Sequence, residues 1–412
     1  MISLKEAQAL VLDHSSTLET ELISFTETLG RITATPIIAA MDVPPFNRSP
    51  LDGYALRAED TFGASPEHPA ALDILTETKN RNQRVNGGTC VRIYTGDPIP
   101  FGADTVVPQE KVTRLGNVLY LATPYRPGSN FACAGEDITR GTTVLDTGTL
   151  IESVHLGILA SLGLHEINVF RKPVAAVLST GYELRHPGSQ LTFGQIYDCN
   201  THMLCALISE CASIPVPLGI VNDNTETLSY AMEKALAEHD LVITTGGVSV
   251  GDQDLIGNAL ENIDAHILFW RVAIKPGTPV LAAHKKGKLI FCLPGNPAAA
   301  YITFEQLVRP SLFEMSGYKK WQRPEITAYL EHNIPAAGSQ NRFIRAICSL
   351  NGTSFTVRRA GLERSGVLST FKDANALIYL PAGTPLLEEG KKVTVQLLSL
   401  PQGQGISVPS FS

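Results

Sequence analysis

Beyond Pro173 the chain alternates short, continuously apolar runs with longer stretches in which apolar positions recur every three or four residues. Residues 174–178, 214–220 and 241–243 read as buried strands, and residues 201–211 and 225–238 as helices. A βαβ series of this kind predicts a parallel sheet covered by helices on both faces. The first 170 residues read differently, as mostly β with helical brackets: a helix near 3–13, strands at 89–94, 104–109 and 118–122, and a helix near 152–161. Pro and Gly recur between those strands, which suggests a lobed module of another kind. After Arg309-Pro310 the helical pattern stops. Residues 325–330, 343–348, 355–359, 377–380 and 392–398 then predict short strands, closing as a small β-barrel or sandwich, and residues 403–412 are expected to fray.

Candidate chemistry gathers where the apolar runs end. Residues 240–254 finish a strand in a glycine-rich loop with two carboxylates. There Gly246, Gly247 and Gly251 let backbone N–H groups turn towards an anion, and a helix near Asp252 aims its positive end at the same place. An ordinary strand-to-helix turn is the alternative. Leu293-Pro294-Gly295-Asn296-Pro297 follows a second strand, with Asn296 suited to cap the next helix and Pro297 to its first turn. Residues 270–279 deliver Lys275 into a rigid Pro-Gly turn, and Ser179-Thr180-Gly181 brings Glu183 to a strand end. Loops sharing one edge of an open α/β sheet are where such sheets bind ligands. In the first half, Asp52 before Gly53 is either a turn residue or a site acid. The acids of Gly135-Glu136-Asp137-Ile138 read more readily as a solvated turn.

Composition narrows the picture. At 412 residues the chain is long enough for two to four domains. Its net charge of −7 and pI near 5.8 argue against a general nucleic-acid binder, so an anion must be met by local groups. Seven scattered cysteines without a CxxC pair indicate neither a disulfide framework nor a zinc site. Ser3 and Glu6 form a capping box rather than the start of a signal peptide. With no apolar run long enough to span a bilayer, the cytoplasm is the expected compartment.

Taken in order, seven segments resemble the molybdopterin molybdenumtransferases of molybdenum cofactor assembly, which are related to the E domain of gephyrin. They are Asp52-Gly53-Tyr54-Ala55 after its prolines, Tyr94-Thr95-Gly96 with Gly102-Ala103-Asp104, Gly135-Glu136-Asp137-Ile138, Ser179-Thr180-Gly181 with Glu183-Leu184, the run from Gly246 to Asp252, Lys275-Pro276-Gly277, and residues 293–297. The resemblance implies a multidomain α/β and β protein. Its helical linker domain would be discontinuous (1–26, 42–54, 136–170), and an inserted β domain would take 27–41 and 55–135. An α/β molybdopterin-binding domain (171–320) and a C-terminal β-barrel (321–412) would follow. It also implies a homodimer that inserts molybdenum from molybdate, or tungsten from tungstate, into adenylated molybdopterin. Pyrophosphate cleavage would depend on Mg2+ and release AMP, with transient contact to the molybdopterin adenylyltransferase.

Carried over residue by residue, Glu183, Asp254, Lys275, Asp52 and Asp137 are catalytic. Thr95, Gly246, Gly247, Ser249, Gly251, Asp252, Pro294, Gly295, Asn296 and Pro297 bind substrate. Lys275, Arg345 and Ser365 hold molybdate, and Glu183, Asp223 and Asp254 hold the metal; Asp223 could equally cap the following helix. Two positions depart from the family pattern. Tyr182 stands where Asp is usual, and Thr278 where a second Lys is usual, a missing cation that Arg364 could replace. A non-catalytic carrier of the cofactor, or a tungstate-preferring paralogue, is the alternative these departures motivate.

Overall fold

The computed structural model describes residues 1–75, 84–248 and 253–403. Helix α1 (Leu4–Asp13) starts with the expected reciprocal cap: the Glu6 N–H donates to Ser3 Oγ at 3.2 Å, and the Ser3 N–H donates to the Glu6 carboxylate at 2.8 Å. The chain forms two compact units, one of Ile23–Leu29 and Thr35–Ile167, the other of Met1–Leu22, Gly30–Ala34 and Asn168–Ser412.

In the first of these, β1 (Gly53–Leu56), β2 (Ala70–Ile74), β3 (Thr89–Ile93), β4 (Thr105–Pro108), β5 (Thr113–Leu115) and β6 (Val118–Leu121) build a six-stranded sheet in the order β4-β1-β3-β2-β6-β5. Leu72 with Ile74 and Leu119 with Leu121 bury one face at a spacing of two, the period of a strand. Helix α2 (Ser153–Ser161) belongs to the same unit.

The other unit holds the α/β sheet. Its strands are β7 (Val174–Thr180), β8 (Ile214–Val221), β9 (Leu241–Thr245) and β10 (His266–Trp270). After β11 (Ile274–Lys275), which lies elsewhere, come β12 (Leu281–Lys285) and β13 (Lys288–Leu293), and the order is β8-β7-β9-β13-β12-β10. Strands β8, β7, β9 and β13 are parallel, with Ala175 beside Leu241 and Leu241 beside Leu289. The sheet is nevertheless mixed, because β12 runs antiparallel to both its neighbours. Lys286 and Gly287 between β12 and β13 both have positive φ, 49° and 79°, the geometry of a tight hairpin, whereas a parallel partner would need a crossover.

Helices cover both faces: α3 (Asn200–Glu210), α4 (Thr225–Glu238), α5 (Gln253–Asn262), α6 (Pro297–Thr303) and α7 (Arg309–Met315). Leu241 and Ile243 pack in the core with Leu204, Ile208 and Phe304, while Val242 between them packs with Leu228, Met232 and Ile256. Successive residues feed opposite cores, which is why these strands read as unbroken apolar runs. The expectation that helices end at Arg309-Pro310 is wrong. A π-helical turn over Phe304–Val308 leads into α7, whose first turn carries Pro310, where a missing N–H leaves no helical bond unmade.

The last segment closes on itself. Strands β14 (Glu325–Leu330), β15 (Asn341–Asn351), β16 (Ser354–Arg359), β17 (Ala376–Leu380) and β18 (Lys392–Leu397) run in the order β15-β16-β14-β18-β17, and β17 pairs back with β15 to complete a five-stranded barrel. No helix among the described residues is long and apolar enough to cross a membrane.

One clasp fastens the base of the α/β sheet. Arg171 donates through Nη1 and Nη2 to the Asp240 carboxylate at 2.7 and 2.9 Å and through Nε to Glu19 at 3.0 Å, while the Val174 N–H donates to Asp240 at 2.8 Å. Burial pushes the Asp240 carboxyl up, but the guanidinium and the amide outweigh it and hold it below the usual carboxylate range. Its contribution to stability is therefore complete above an unfolded value of about 4 and disappears as pH falls through the lower folded value. Asp240→Asn is expected to destabilise the protein by about 2 kcal/mol at neutral pH. The gap to the native protein should close in acid, as read by urea melts at neutral and acidic pH; a gap independent of pH would contradict the clasp.

Candidate functional site

The C-terminal ends of β8, β7, β9 and β13 share one edge, and the loops there line a cavity of about 880 Å³. Gly246, just past β9, has φ +99°, and a Cβ at this position would lie 2.1 Å from the Thr180 carbonyl oxygen, so only glycine fits. Its N–H donates to the Leu293 carbonyl at 3.2 Å, joining the β9 and β13 loops. Gly295 comes against it, with 3.5 Å from a Cβ placed there to the Gly246 Cα.

Residues that the sequence reading passed over hold this edge in shape. Asn200, buried at the start of α3, donates from Nδ2 to Thr245 Oγ1 and to the Gly295 carbonyl, both at 2.8 Å. Thr245 Oγ1 donates in turn to the Pro294 carbonyl at 3.2 Å. Asp198 accepts from the Thr201 N–H at 3.0 Å and Oγ1 at 2.6 Å, and the Thr201 hydroxyl also meets Ser179 Oγ at 2.7 Å. Asp198 three residues ahead of Thr201 is a helix-start signal that sequence alone offered. The bridging by Asn200 had no local signature.

The expected acids differ in how they are used. Glu183 is half-buried, lines the cavity, and its carboxylate takes no hydrogen bond or ion pair from the described residues. Asp223 lines it too, but its Oδ1 accepts from Thr180 Oγ1 and its Oδ2 from the Tyr182 N–H at 3.0 Å. It does not cap α4; Asn224 does, accepting from the Thr227 N–H at 2.8 Å. Asp254 lies in the first turn of α5, its side chain outside the described residues, as are Ser249, Gly251 and Asp252. Asn296 occupies the first position before α6 with Pro297 following, yet its side chain makes no capping bond. Among the described residues no three His, Cys, Asp or Glu side chains converge as a ready metal cage.

Lys275 is not on the edge of the α/β sheet, as its place in the chain suggested. Strand β11 leaves that sheet and pairs with the barrel, Ile274 beside Asn341 and Lys275 beside Arg342. Lys275 thereby lines a second cavity, of about 470 Å³, with Thr278, Arg342, Arg345, Arg364 and Ser365. Asn296 lines both cavities, and the backbone passes from Ser365 in the second to Gly366 in the first. Arg345 is 4% exposed, and its Nη2 donates to the Leu362 and Arg364 carbonyls at 2.7 and 3.2 Å, so it shapes the loop that carries Ser365. Burial pulls its pKa below the ordinary guanidinium value. Arg342 is neutralised by Glu363. Lys275 and Arg364 are exposed and make no ion pair among the described residues. The Thr278 hydroxyl is committed inside its turn, donating to the Ile274 carbonyl at 2.6 Å and accepting from Gln340 Nε2 at 3.2 Å.

Asp52, Thr95 and Asp137 belong to the other compact unit. Asp52 is no local turn residue: its Oδ1 accepts from the Thr95 N–H and from Thr95 Oγ1, both at 2.8 Å. The Thr95 backbone bond first, then its hydroxyl, holds the Asp52 carboxyl below the usual range. Thr95 and Asp137 line a cavity of about 600 Å³ with Arg48 and Glu136.

Known proteins share this plan. Residues 2–163 match the MoeA N-terminal region (domain I and II), residues 176–314 a probable molybdopterin binding domain, and residues 327–398 the MoeA C-terminal region (domain IV). A molybdopterin molybdenumtransferase of Staphylococcus epidermidis is 37% identical over 405 residues, 96% of this chain and 95% of that protein. The chain belongs to the MoeA family. Its relative in Bacillus subtilis, also a molybdopterin molybdenumtransferase, is 34% identical over 404 residues, 95% of this chain and 92% of that one. Two structures of a molybdopterin biosynthesis MoeA protein from Pyrococcus horikoshii align with TM-scores of 0.85 and 0.82 at 31% and 30% identity. They cover 97% and 96% of this chain and 100% of their own.

In this MoeA chain Gly246→Ala is expected to destabilise by about 2 kcal/mol or more, from the positive φ and the clash with Thr180. Gly366→Ala is the control, since its Cβ would meet nothing closer than 3.7 Å. Equal melting temperatures for the two variants would refute the close approach of the β7 and β9 loops.

Proposed function

We propose that the protein is a molybdopterin molybdenumtransferase that inserts molybdenum from molybdate into adenylated molybdopterin and releases AMP. The observation that carries the reading is the pair of cavities meeting at Asn296, one floored by glycine turns at strand ends and one lined by Lys275, Arg345, Arg364 and Ser365. A pterin bearing phosphates calls for backbone donors and helix starts, which the glycine turn at Gly247 and the start of α3 would supply, with Gly246 giving the close approach. Gly295, Asn296 and Pro297 line the same cavity and Pro294 the second one, and Ser249, Gly251 and Asp252 are assigned to substrate by the family resemblance. A tetrahedral dianion suits the cation-lined cavity, where Lys275 and Arg364 make no ion pair among the described residues and Ser365 offers a hydroxyl.

Mg2+ is part of the proposal. Glu183 has a carboxylate without a partner among the described residues, and each Asp223 oxygen keeps a lone pair; with Asp254 they offer only hard oxygen donors. That suits an ion which keeps several waters and substrate phosphates. When bound, Mg2+ would draw charge from the pyrophosphate oxygens. We also propose the four-domain division given above, a cytoplasmic location and a homodimer in which elements of a second copy, Asp52, Thr95 and Asp137 among them, complete the site. Transient contact with the adenylyltransferase that supplies the substrate belongs to the same reading.

The test is AMP release from adenylated molybdopterin by the purified protein with Mg2+, with and without molybdate or tungstate. Stimulation by either oxyanion is the expected result, and binding without release would make the protein a carrier. Lys275→Ala should raise the oxyanion concentration needed by about ten- to hundredfold, the worth of one charge-assisted hydrogen bond. Glu183→Gln should slow cleavage at least tenfold while leaving pterin affinity within about threefold. Unchanged turnover in both variants would remove these side chains from the reaction.

A further inference from the structure

Tyr182 presents a ring that is 85% exposed on a backbone held at both ends. Its N–H donates to Asp223 Oδ2 at 3.0 Å and its carbonyl accepts from Arg185 Nη1 at 3.0 Å. Ile196 and Tyr197, 54% and 44% exposed, stand with it around the first cavity, the Tyr197 hydroxyl donating to the Ser189 carbonyl at 2.8 Å. Glycines and hydroxyls line the cavity at the strand ends, and among its described residues these three are the exposed large apolar side chains. A flat ring on an anchored backbone is a platform that loses little freedom when another ring stacks on it.

Strand order says which part of a substrate meets it. Asp223 follows β8, Tyr182 follows β7, Gly246 follows β9 and Asn296 follows β13, in that order along the edge. Neighbouring strands are about 4.8 Å apart, so the Tyr182 loop and the Asn296 loop stand roughly 10 Å apart with the glycine turn between them. On the transferase reading, molybdenum must reach the dithiolene sulfurs, so the pterin end lies towards Asn296, where the cation-lined cavity begins. The phosphates then rest on Gly246 and Gly247, and the adenosine extends to the β7 end. We propose that Tyr182 is the stacking platform for the adenine of the adenylated substrate and of the AMP product. Residue 182 thus determines how tightly this chain holds the adenylate, independently of pterin recognition. This assignment rests on the transferase reading.

The experiment uses the full-length protein and titration calorimetry with AMP, with ribose 5-phosphate as a probe without a base, and with molybdopterin. Tyr182→Ala is expected to weaken AMP by about tenfold, the usual loss when one stacking aromatic is truncated. Tyr182→Phe should stay within about twofold, because the ring and not the hydroxyl is in use. Ribose 5-phosphate and molybdopterin should bind the native protein and Tyr182→Ala alike. An AMP affinity unchanged in Tyr182→Ala, a loss shared by ribose 5-phosphate, or a loss confined to molybdopterin would each overturn the adenine assignment while leaving the transferase reading intact. A native protein that binds neither AMP nor molybdopterin would bring down both. Circular dichroism of the variants checks that the substitutions act on an exposed ring and not on folding.

Discussion

Asn200 Nδ2 donates to Thr245 Oγ1 and to the Gly295 carbonyl, and these two bonds tie the start of one helix to the loops after two strands. Around them Thr245 meets the Pro294 carbonyl, and Asp198, Thr201 and Ser179 form a second chain of bonds. A buried polar network of this sort is rigid when every member is satisfied, and each member here has a partner. The loops along the edge would otherwise be free to spread, since turns at strand ends carry few apolar contacts of their own. With the network in place, Gly246 can lie against the Thr180 carbonyl and Gly295 against Gly246, and a floor of backbone groups results.

The same economy of small parts joins the two cavities. The helix that Pro297 opens is met by the barrel's own loop, the Ala298 N–H donating to the Ser365 carbonyl at 3.1 Å. Arg345, almost wholly buried, spends Nη2 on the carbonyls at either side of that loop. Its burial disfavours charge, yet the guanidinium remains ionised at any ordinary pH, so the cavity keeps a fixed positive wall. Exposed Lys275 and Arg364 complete that wall. Thr278 adds no charge and has its hydroxyl occupied, so the cation count of the cavity depends on Arg364 to a degree that the Pro-Gly turn alone does not show.

Much of this was legible along the chain. The βαβ alternation, the capped first helix, the late run of strands and the glycine turn at Gly246 follow from periodicity and local stereochemistry, which act within a few residues. The antiparallel β12 was not legible, because Lys286-Gly287 is a short signal next to two apolar runs that suit either direction. Helix α7 was not legible either, because Arg309-Pro310 suits a helix stop as well as a first turn. Asp223 suits a ligand or a helix cap on sequence alone; the cap belongs to Asn224, and Asp223 pins the loop that carries Tyr182.

By itself, then, the sequence determined the element types, the place of the glycine turns, and through seven ordered segments the family, since local geometry and motif order do not need the fold to be known. Only the tertiary structure decided that the strand carrying Lys275 leaves the α/β sheet to pair with the barrel, so that Lys275 lines a cavity with Arg345 and Ser365 and does not join Glu183 on the α/β edge. Only it showed that Asn200 is the joint of the floor and that Asp52 is held by Thr95. Each of those pairs lies far apart in the chain, and nothing in local propensity encodes which distant backbone group a side chain will meet.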